Sequence, residues 1–369
     1  MAATNFAALT NEQKTVWSKQ FWRQARNESF INQFATVGPG SLVQRITELT
    51  KSDKGARAVL TLIADMTADG VVGDNELEGN EEGLKSYDQV VTIDQLRSAN
   101  RHKGRMADQR SIVNFRETSR DVLAYWIADR IDQLAFLTLA GISYAYKTNL
   151  ANRDANSQLG NLAFQPKTLT SNRWFRWDGT SSKALKAAAT GSIAATDTPS
   201  YSMLVQAKAF AKTTYMRGVR GPNGQETYHV FMHPQGLAKL KLDPDFLTNI
   251  RYTSMGKGDD SPLATGAFVM SDGLIIHEFR HVPNTTGAAS GSKWGSGGTV
   301  DGQAVLMCGA QALGMADIGA PTWEEKQFDY ENQQAVSVGK IFGFLNPQYY
   351  NNYTGQVENF GVMRIDTAI

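Results

Sequence analysis

One five-residue run in this chain matches a catalytic pattern: His277-Glu278-Phe279-Arg280-His281 fits H-E-x-x-H. On a helix, two histidines four residues apart converge on one zinc ion, and the glutamate polarises the zinc-bound water. Here the run follows Leu274-Ile275-Ile276 and is closed by Pro283, a composition that favours a strand. Positions four apart on a strand lie about 13 Å from each other, too far for one zinc ion. The context therefore argues against a zinc protease.

His229 and His233 repeat the same spacing within the run Tyr228–Pro234. Val230, Phe231 and Met232 again favour a strand, so we interpret these residues as histidines on a strand edge. With five histidines and a single cysteine, Cys308, the chain lacks the ligands of an ordinary structural zinc site.

A second candidate site is a calcium loop. Asp65, Thr67, Asp69, Gly70 and Glu76 nearly fit the twelve-residue calcium pattern, with Thr67 in place of the usual Asp or Asn. That loop needs two flanking helices, whereas the sequence is strand-like before it and glycine-broken after it. We interpret the segment as a solvated acidic loop tip, and a bound divalent ion remains the alternative. No phosphate-binding glycine loop or nucleophile elbow occurs.

Composition sets the outer limits. The chain has 369 residues, 41% hydrophobic and 20% charged, which suits two or three globular domains. A net charge of +1 gives no general attraction to nucleic acid or anionic membrane. One cysteine indicates a reducing compartment. Because no signal-peptide pattern or long apolar run occurs, we expect a soluble protein that is not exported by a signal peptide and does not enter a membrane.

Charge is strongly segregated along the chain. Between Asp65 and Asp88 eight acids face one base, a local balance of −7, and between Arg97 and Arg120 seven bases face two acids, a balance of +5. Such patterning sets docking register, so we expect a projecting element that meets its complement on another copy of the chain. The predicted interface residues fall into two groups. The hairpin tip comprises Glu76, Glu78, Glu81 and Glu82, and the basic collar comprises Arg97, Arg101, Lys103 and Arg105.

The elements that carry these groups follow from hydrophobic spacing. Residues 10 to 30 predict an amphipathic helix, ended by Gly38-Pro39-Gly40, whose Trp17, Phe21 and Trp22 are expected to pack an N-terminal arm across the assembly or within its own domain. The β-rich runs Arg57 to Met66 and Tyr87 to Leu96 predict a long exposed hairpin with the acidic segment as its tip.

A long helix follows. Met106 to Ala140 contains neither glycine nor proline, lies between Gly104 and Gly141, and keeps helical apolar spacing, which predicts a helix of about 50 Å. An ordinary core helix of an α/β enzyme is the alternative reading of this helix alone.

A second, mixed α/β domain is predicted after the long helix. Its elements are a helix over 201–216, a strand over 226–232, a short helix over 234–242 and two strands, Gly266 to Met270 and Leu274 to Val282, joined at Ser271-Asp272-Gly273. Core strands are expected at Ala304 to Met315, Phe328 to Phe344 and Phe360 to Ile365, with a Gly/Ser-rich surface loop at 284–301. The aromatic-basic run Arg173–Trp177 is interpreted as a hydrophobic plug on a loop, with base stacking as the alternative.

This order of elements resembles the major capsid proteins of tailed bacteriophages. Several short stretches carry the resemblance, in order along nearly the whole chain: Gly73-Asp74-Asn75-Glu76-Leu77-Glu78-Gly79-Asn80-Glu81-Glu82, Val91-Thr92-Ile93-Asp94-Gln95-Leu96-Arg97, Met232-His233-Pro234, Gly309-Ala310-Gln311-Ala312, and Trp323-Glu324-Glu325 leading to Asp329-Tyr330.

The resemblance implies an α+β chain with the Hong Kong 97-type capsid fold. Its parts would be an N-terminal arm (1–40), an extended β-hairpin loop (57–100), a peripheral domain with the long spine helix (41–56 and 101–200), a mixed α/β axial domain (201–320), and C-terminal strands returning to the peripheral domain (321–369). Some relatives crosslink covalently, but no residue pair in this sequence supports extending that chemistry to this chain.

The implied role is a non-enzymatic building block of an icosahedral shell around packaged double-stranded DNA, in the virion and assembled in the host bacterial cytoplasm. It would need no cofactor. Its partners would be itself in hexamers and pentamers, scaffolding, portal and decoration proteins, and DNA through non-specific contacts. Two alternatives stay open: a calcium- or zinc-dependent metalloenzyme, and a cellular nanocompartment shell of the same fold.

Overall fold

A computed structural model describes residues 29–38, 40–46, 57–63, 68–83, 85–110, 115–221, 224–248 and 268–369, together with positions 25, 55 and 66. The α-helices with both ends in this part of the chain are α1 (Arg105–Arg110), α2 (Phe115–Ala140), α3 (Tyr201–Thr213) and α4 (Pro234–Lys241), and residues 244–248 are also helical. The strands are β1 (Ala35–Thr36), β2 (Val43–Ile46), β3 (Arg57–Ile63), β4 (Ser86–Thr92), β5 (Asp94–Arg101), β6 (Trp174–Asp178), β7 (Ala184–Ala187), β8 (Val219–Arg220), β9 (Glu226–Met232), β10 (Phe268–Ser271), β11 (Leu274–Glu278), β12 (Gly302–Cys308), β13 (Leu313–Asp317), β14 (Thr322–Phe328), β15 (Gln333–Leu345), β16 (Gln348–Asn351), β17 (Gln356–Asn359) and β18 (Val362–Ala368).

Two larger sheets organise these strands. The first has six strands in the order β1-β2-β13-β15-β14, with β5 also paired to β15. Strand β15 is 13 residues long, and it pairs with β14 from Gln333 to Gly339, with β5 from Ala335 to Phe342 and with β13 from Phe342 to Leu345. The second sheet has eight strands in the order β10-β11-β9-β12-β18-β6-β7, with β8 paired to β9.

Helix α2 packs on the six-stranded sheet. Its apolar face, including Leu123, Ile127 and Leu134, shares one buried core with Met315 and Phe342 of that sheet. At 26 residues the helix is about 39 Å long. The predicted helix from Met106 to Ala140 is helical over Met106–Arg110 and over Phe115–Ala140. Residues 111–114 lie outside the described part, so the prediction that the helix is uninterrupted is not tested.

The end of α2 agrees with the sequence prediction. Gly141 has φ +66°, and its N–H donates to Thr138 O while Ile142 N–H donates to Leu137 O. This is the Schellman arrangement, in which a left-handed glycine satisfies the last helical carbonyls. A Cβ at position 141 would lie 2.9 Å from Lys167 O, so the loop after the helix also requires glycine here.

The hairpin prediction is confirmed, with one correction. Strands β3 and β4 pair antiparallel from Arg57↔Thr92 to Ile63↔Ser86. The run Tyr87 to Leu96 is not a single strand of the hairpin, however. It divides at Ile93, after which β5 pairs with β15 of the six-stranded sheet. The hairpin therefore ends at Thr92, because the chain changes strand partner there without a turn residue that a sequence reading could detect.

The predicted Ala304 to Met315 strand is also wrong as one element. It is two strands in different sheets: β12 pairs with β18 and β9, and β13 pairs with β2 and β15. Between them Gln311 adopts φ +53°, and Gly309 lies so close to Arg217 O that a Cβ would be 2.1 Å away. A tight connection with a close backbone approach thus separates two strongly β-forming runs.

Smaller differences concern the second sheet. The strand at Leu274 ends at Glu278 rather than Val282, and residues Trp174–Asp178 form strand β6 rather than a loop. The final strand β18 lies in the eight-stranded sheet between β12 and β6, whereas β14 and β15 lie in the six-stranded sheet with β5. The range 321–369 is therefore shared between the two larger sheets, and it also contains the separate two-stranded sheet of β16 and β17. The segment 284–301 contributes the buried Trp294 and two isolated bridges.

Candidate assembly interface

The hairpin projects from a small apolar base. Ala58 and Leu60 of β3 and Val91 of β4 are buried. They pack against three residues of the six-stranded sheet: Ile46, Ala316 and Leu345. On the opposite face of the same two strands, Val59 and Val90 are 41% and 46% exposed. One face of the hairpin thus belongs to this subunit's core, and the other presents apolar side chains to the outside.

Three contacts fix the hairpin to the body. Tyr349 Oη donates to Leu60 O at 3.2 Å, and Lys167 Nζ donates to Gln89 Oε1. At the base, Gly343 of β15 lies against the backbone of Thr92, where a Cβ would meet Thr92 O at 2.2 Å. At the base of the hairpin, the backbone of β4 therefore lies in direct contact with the backbone of β15.

The tip, residues 68–83, is largely exposed and held by its own polar groups. Glu82 Oε2 accepts from Ala68 N at 2.7 Å, and Glu81 Oε2 accepts from Gly79 N at 2.8 Å. Asn75 and Asn80 donate to backbone carbonyls of Val72 and Glu76. Two of the four predicted tip glutamates therefore shape the tip itself.

The other two predicted tip glutamates face solvent. Glu76 and Glu78 are exposed, and neither forms an ion pair within the described part of the chain. Beside them Val72 and Leu77 are 79% and 58% exposed. Sequence reasoning missed these two apolar residues because the acids dominate the segment. The tip thus carries two available carboxylates and two uncovered aliphatic side chains.

The basic collar does not form one patch with a common partner. Arg97 and Arg101 lie exposed on β5 opposite Gly339 and Ala335 of β15. The Arg101 guanidinium sits 5.4 Å from the Phe328 ring centre. Arg105 lies 3.8 Å from the Glu331 carboxylate. The fourth member, Lys103, is exposed and accepts at its carbonyl from Gln333. Part of the collar charge is therefore already engaged within the subunit.

The N-terminal segment is anchored on α2. The buried carboxylate of Asp132 accepts from Ser29 Oγ at 2.7 Å, from Phe30 N at 2.9 Å and from Ile31 N at 3.1 Å. Burial raises the pKa of Asp132, and these three hydrogen bonds oppose that effect. Phe30 also stacks on Phe279 at 4.3 Å between ring centres. The predicted arm residues Trp17, Phe21 and Trp22 lie outside the described residues.

The histidines of the zinc-like pattern have separate structural partners. His277 Nε2 lies 2.9 Å from His229 Nδ1, whereas His281 Nε2 lies 2.6 Å from Asp129 Oδ1 on α2. The strand-edge interpretation of His229 is wrong, since β9 lies between β11 and β12 inside the sheet. His233 begins α4 and accepts from Gln235 N. Within the described ranges, no three His, Cys, Asp or Glu side chains converge as a metal site would require.

In the aromatic-basic run Arg173–Trp177, Arg173, Phe175 and Trp177 are buried, whereas Trp174 and Arg176 are half-buried. Trp177 is 1% exposed, and the guanidinium of Arg173 forms a buried ion pair with Glu358 at 2.9 Å. Trp174 Nε1 donates to Asp366 Oδ2 at 2.7 Å. These side chains are committed to the interior, which removes the base-stacking alternative for Arg173 and Trp177.

An α+β body with two sheets, a long helix and a projecting hairpin defines a tailed-phage capsid fold. Solved structures share it. The capsid of Ralstonia phage GP4 matches with a TM-score of 0.75, 23% identity and coverage of 92% of this chain and 90% of that one. The capsid of cyanophage Pam1 matches with a TM-score of 0.69, 16% identity and coverage of 100% and 96%.

The phage capsid protein family model matches residues 5–369, and the chain belongs to this family. A relative described as the major capsid protein of Pseudomonas phage KPP25 is 60% identical over 368 residues, which is 99% of this chain and 97% of the relative. The chain is accordingly a major capsid protein, a structural component of the virion that associates with itself to form the shell of a phage capsid. None of the helices in the described ranges is long and apolar enough to cross a membrane.

Proposed function

We propose that this chain builds an icosahedral shell from hexamers and pentamers in which the hairpin tip of one subunit docks on a positively charged surface of a neighbouring copy. The observation that carries the proposal is the state of the tip. Glu76 and Glu78 are exposed without an ion pair among the described residues, and Val72 and Leu77 lie uncovered beside them. Exposed apolar side chains next to charged side chains are typical of a surface that binds another protein.

The base and the tip of the hairpin have different roles in this proposal. Its base is fixed by buried Leu60 and Val91 and by the backbone contact at Gly343. Its tip has its own hydrogen bonds, so it keeps its shape without the body. A preformed projecting tip loses little conformational entropy on docking, which favours many repeated contacts of moderate strength.

In this proposal the chain has no enzymatic activity and needs no cofactor. The histidine motif supports it, since His277 packs against Phe30 and Phe231 and His281 is held by Asp129. These side chains have structural partners rather than an open coordination site.

The proposal also concerns where the shell assembles and which molecules it contacts. The shell assembles in the host bacterial cytoplasm and encloses packaged double-stranded DNA, which it contacts without sequence specificity. Scaffolding, portal and decoration proteins are the expected additional partners. The one cysteine, Cys308, is buried, which is compatible with assembly in a reducing compartment.

The test reverses the charge of the available acids. Glu76→Lys with Glu78→Lys should leave the melting temperature of the unassembled subunit unchanged and abolish shells in negative-stain images at physiological salt. The matched control, Glu76→Asp with Glu78→Asp, keeps both charges and should assemble. Normal shells from the lysine variant would show that the tip carries no essential contact between subunits.

A further inference from the structure

A narrow pocket lies where β3, the β16–β17 sheet and the segment after α3 meet. It has a volume of about 70 Å³, and its apolar lining includes Leu62, Tyr349 and Phe360. One water molecule takes about 30 Å³, whereas a benzene ring needs a cavity of about 150 Å³. The pocket therefore admits a group of a few non-hydrogen atoms but not an aromatic ring.

The buried charged groups of the pocket are paired with each other. Arg173 and Glu358 both line it, and Arg173 Nη2 donates to Glu358 Oε2 at 2.9 Å. The other carboxylate oxygen of Glu358 accepts from Asn172 Nδ2 at 2.8 Å. A charged ligand entering the pocket would have to disturb this buried ion pair, which is costly. The pocket is therefore suited to a neutral group.

One hydrogen-bond donor of the pocket lacks an acceptor. Asn359 lines the pocket and is fully buried. Its Oδ1 accepts from Thr170 N–H at 2.9 Å, which fixes the orientation of the side-chain amide. Its Nδ2 is buried and has no hydrogen-bond partner among the described residues. Because a buried donor without an acceptor is costly, the pocket favours a group that carries a carbonyl oxygen.

Two exposed tyrosines form the mouth of the pocket. Tyr215 and Tyr353 both line it and are 56% and 49% exposed. Their ring centres lie 3.7 Å apart with an angle of 8° between the planes, so each ring covers one face of the other and leaves its outer face open. Tyr215 has φ +56°, a conformation that bulky residues rarely adopt and that is found most often at functional sites.

We propose that this pocket binds the acetamido group of an N-acetylated amino sugar. The acetamido group is neutral and small enough for the pocket. Its carbonyl oxygen accepts from Asn359 Nδ2, and its methyl group packs against Tyr349 and Phe360. The sugar ring remains at the mouth, where its apolar face of C–H groups packs on an open tyrosine ring. The class of ligand is thus a glycan that contains N-acetylhexosamine.

An acetylated lysine side chain carries the same acetamide group, but the mouth of the pocket favours the sugar. Asn352 and Arg217 also line the pocket, and their amide and guanidinium groups are suited to hydrogen bonds with hydroxyl groups. The aliphatic stem of acetyl-lysine has no hydroxyl groups and no broad face to cover a tyrosine ring.

The first experiment titrates sugars into the unassembled subunit and follows them by saturation-transfer NMR. N-acetylglucosamine should bind with a dissociation constant on the order of 1 mM, and the strongest transfer should reach the acetyl methyl protons. Glucose, which has the same ring without the acetamido group, should bind at least about tenfold more weakly. Equal binding of the two sugars, or no binding of either, would overturn the proposal. Tighter binding of Nε-acetyl-lysine would overturn it by assigning the pocket to an acetylated protein.

The second experiment places the sugar in this pocket. Asn359→Asp keeps the acceptor for Thr170 N–H but removes the Nδ2 donor, and it should weaken binding of N-acetylglucosamine at least about tenfold. Because a buried aspartate can impair folding, Tyr353→Ala is the second variant. It removes an exposed ring of the mouth and should also weaken binding, whereas Tyr353→Phe should bind normally. Tyr330→Ala removes a fully exposed tyrosine outside the pocket and is the matched control. Equal affinity in Tyr353→Ala and Tyr330→Ala would overturn the assignment.

Discussion

His229 Nδ1 and His277 Nε2 lie 2.9 Å apart, and the angle between the two ring planes is 11°. One nitrogen must donate and the other accept, so the hydrogen bond exists only while at least one ring is neutral. Burial lowers the pKa of both histidines, and the charge of His229 further lowers the pKa of His277, to about 4. Phe34 packs edge-on against both rings.

This pair predicts acid sensitivity in a defined window. The folded-state pKa of His277, about 4, lies below the ordinary value of 6.5. The unfolded chain therefore binds the His277 proton more readily than the folded chain does. The contribution of neutral His277 to the free energy of unfolding is present above pH 6.5 and is lost as the pH falls toward 4. The melting temperature of the subunit should fall over this range. His277→Gln should melt lower at neutral pH but lose less on acidification, and equal losses in both proteins would contradict the assignment.

Asp132→Ala should detach residues 29–34, which belong to the C-terminal part of the N-terminal arm. The substitution leaves Phe30 N–H and Ile31 N–H without their acceptor, and we expect a loss of about 1–3 kcal/mol in the free energy of unfolding. Limited proteolysis should then cut near residues 29–34. Ser29→Ala removes only one of the three hydrogen bonds and should cost about 0.5–1.5 kcal/mol. A loss from Ser29→Ala as large as that from Asp132→Ala would mean that the carboxylate does not organise this segment.

Gly343→Ala should disturb the hairpin base. The added Cβ would meet Thr92 O at 2.2 Å, a backbone atom that cannot move without shifting β4. We expect a loss of more than about 2 kcal/mol, typical of an overpacked site. Gly314→Ala is the control, since its nearest neighbour would be a Leu60 methyl group at an ordinary 3.5 Å. Denaturant unfolding compares the two, and similar midpoints would show that the hairpin base can adjust.

Lys340→Met should be strongly destabilising. Lys340 is fully buried and its Nζ donates to Asp317 Oδ1 at 2.5 Å. Removing one partner leaves a buried carboxylate with only Arg45 Nε at 4.0 Å, and we expect a loss of about 3–5 kcal/mol. Lys340→Met combined with Asp317→Leu should recover part of it, because an apolar pair has no charge to desolvate. No recovery in the double variant would indicate that the packing, and not the charge, dominates.

The sequence predicts the parts of the fold that depend on local pattern. The hairpin strands, strand β9 over Glu226–Met232 and the end of α2 at Gly141 follow from β-branched runs and from glycine placement. It does not predict the division at Ile93, because the choice between two strand partners depends on distant residues of β15. The aromatic-basic strand β6 was missed for a related reason. Arg173 and Trp174 are held in place by hydrogen bonds to Glu358 and Asp366, which lie nearly two hundred residues further along the chain.

The sequence predicts where the charged residues are concentrated but not which partners their side chains bind. Opposite charge blocks are visible in the sequence, and the exposed tip agrees with them. The roles of Glu81 and Glu82 within the tip are not visible, since they depend on which backbone N–H groups the turn presents.

If the tip docks on a neighbouring subunit as proposed, the division at Ile93 would also affect how the shell bears mechanical load. Strand β4 of the hairpin continues directly into β5, which is paired with β15 over eight residues. A neighbour pulling on the tip would transmit tension along this continuous backbone into the centre of the sheet. The β5–β15 hydrogen bonds run perpendicular to the strands, so the pull loads them together in shear instead of opening them one at a time. Internal pressure on the capsid would thus be resisted by a whole strand pair in every subunit.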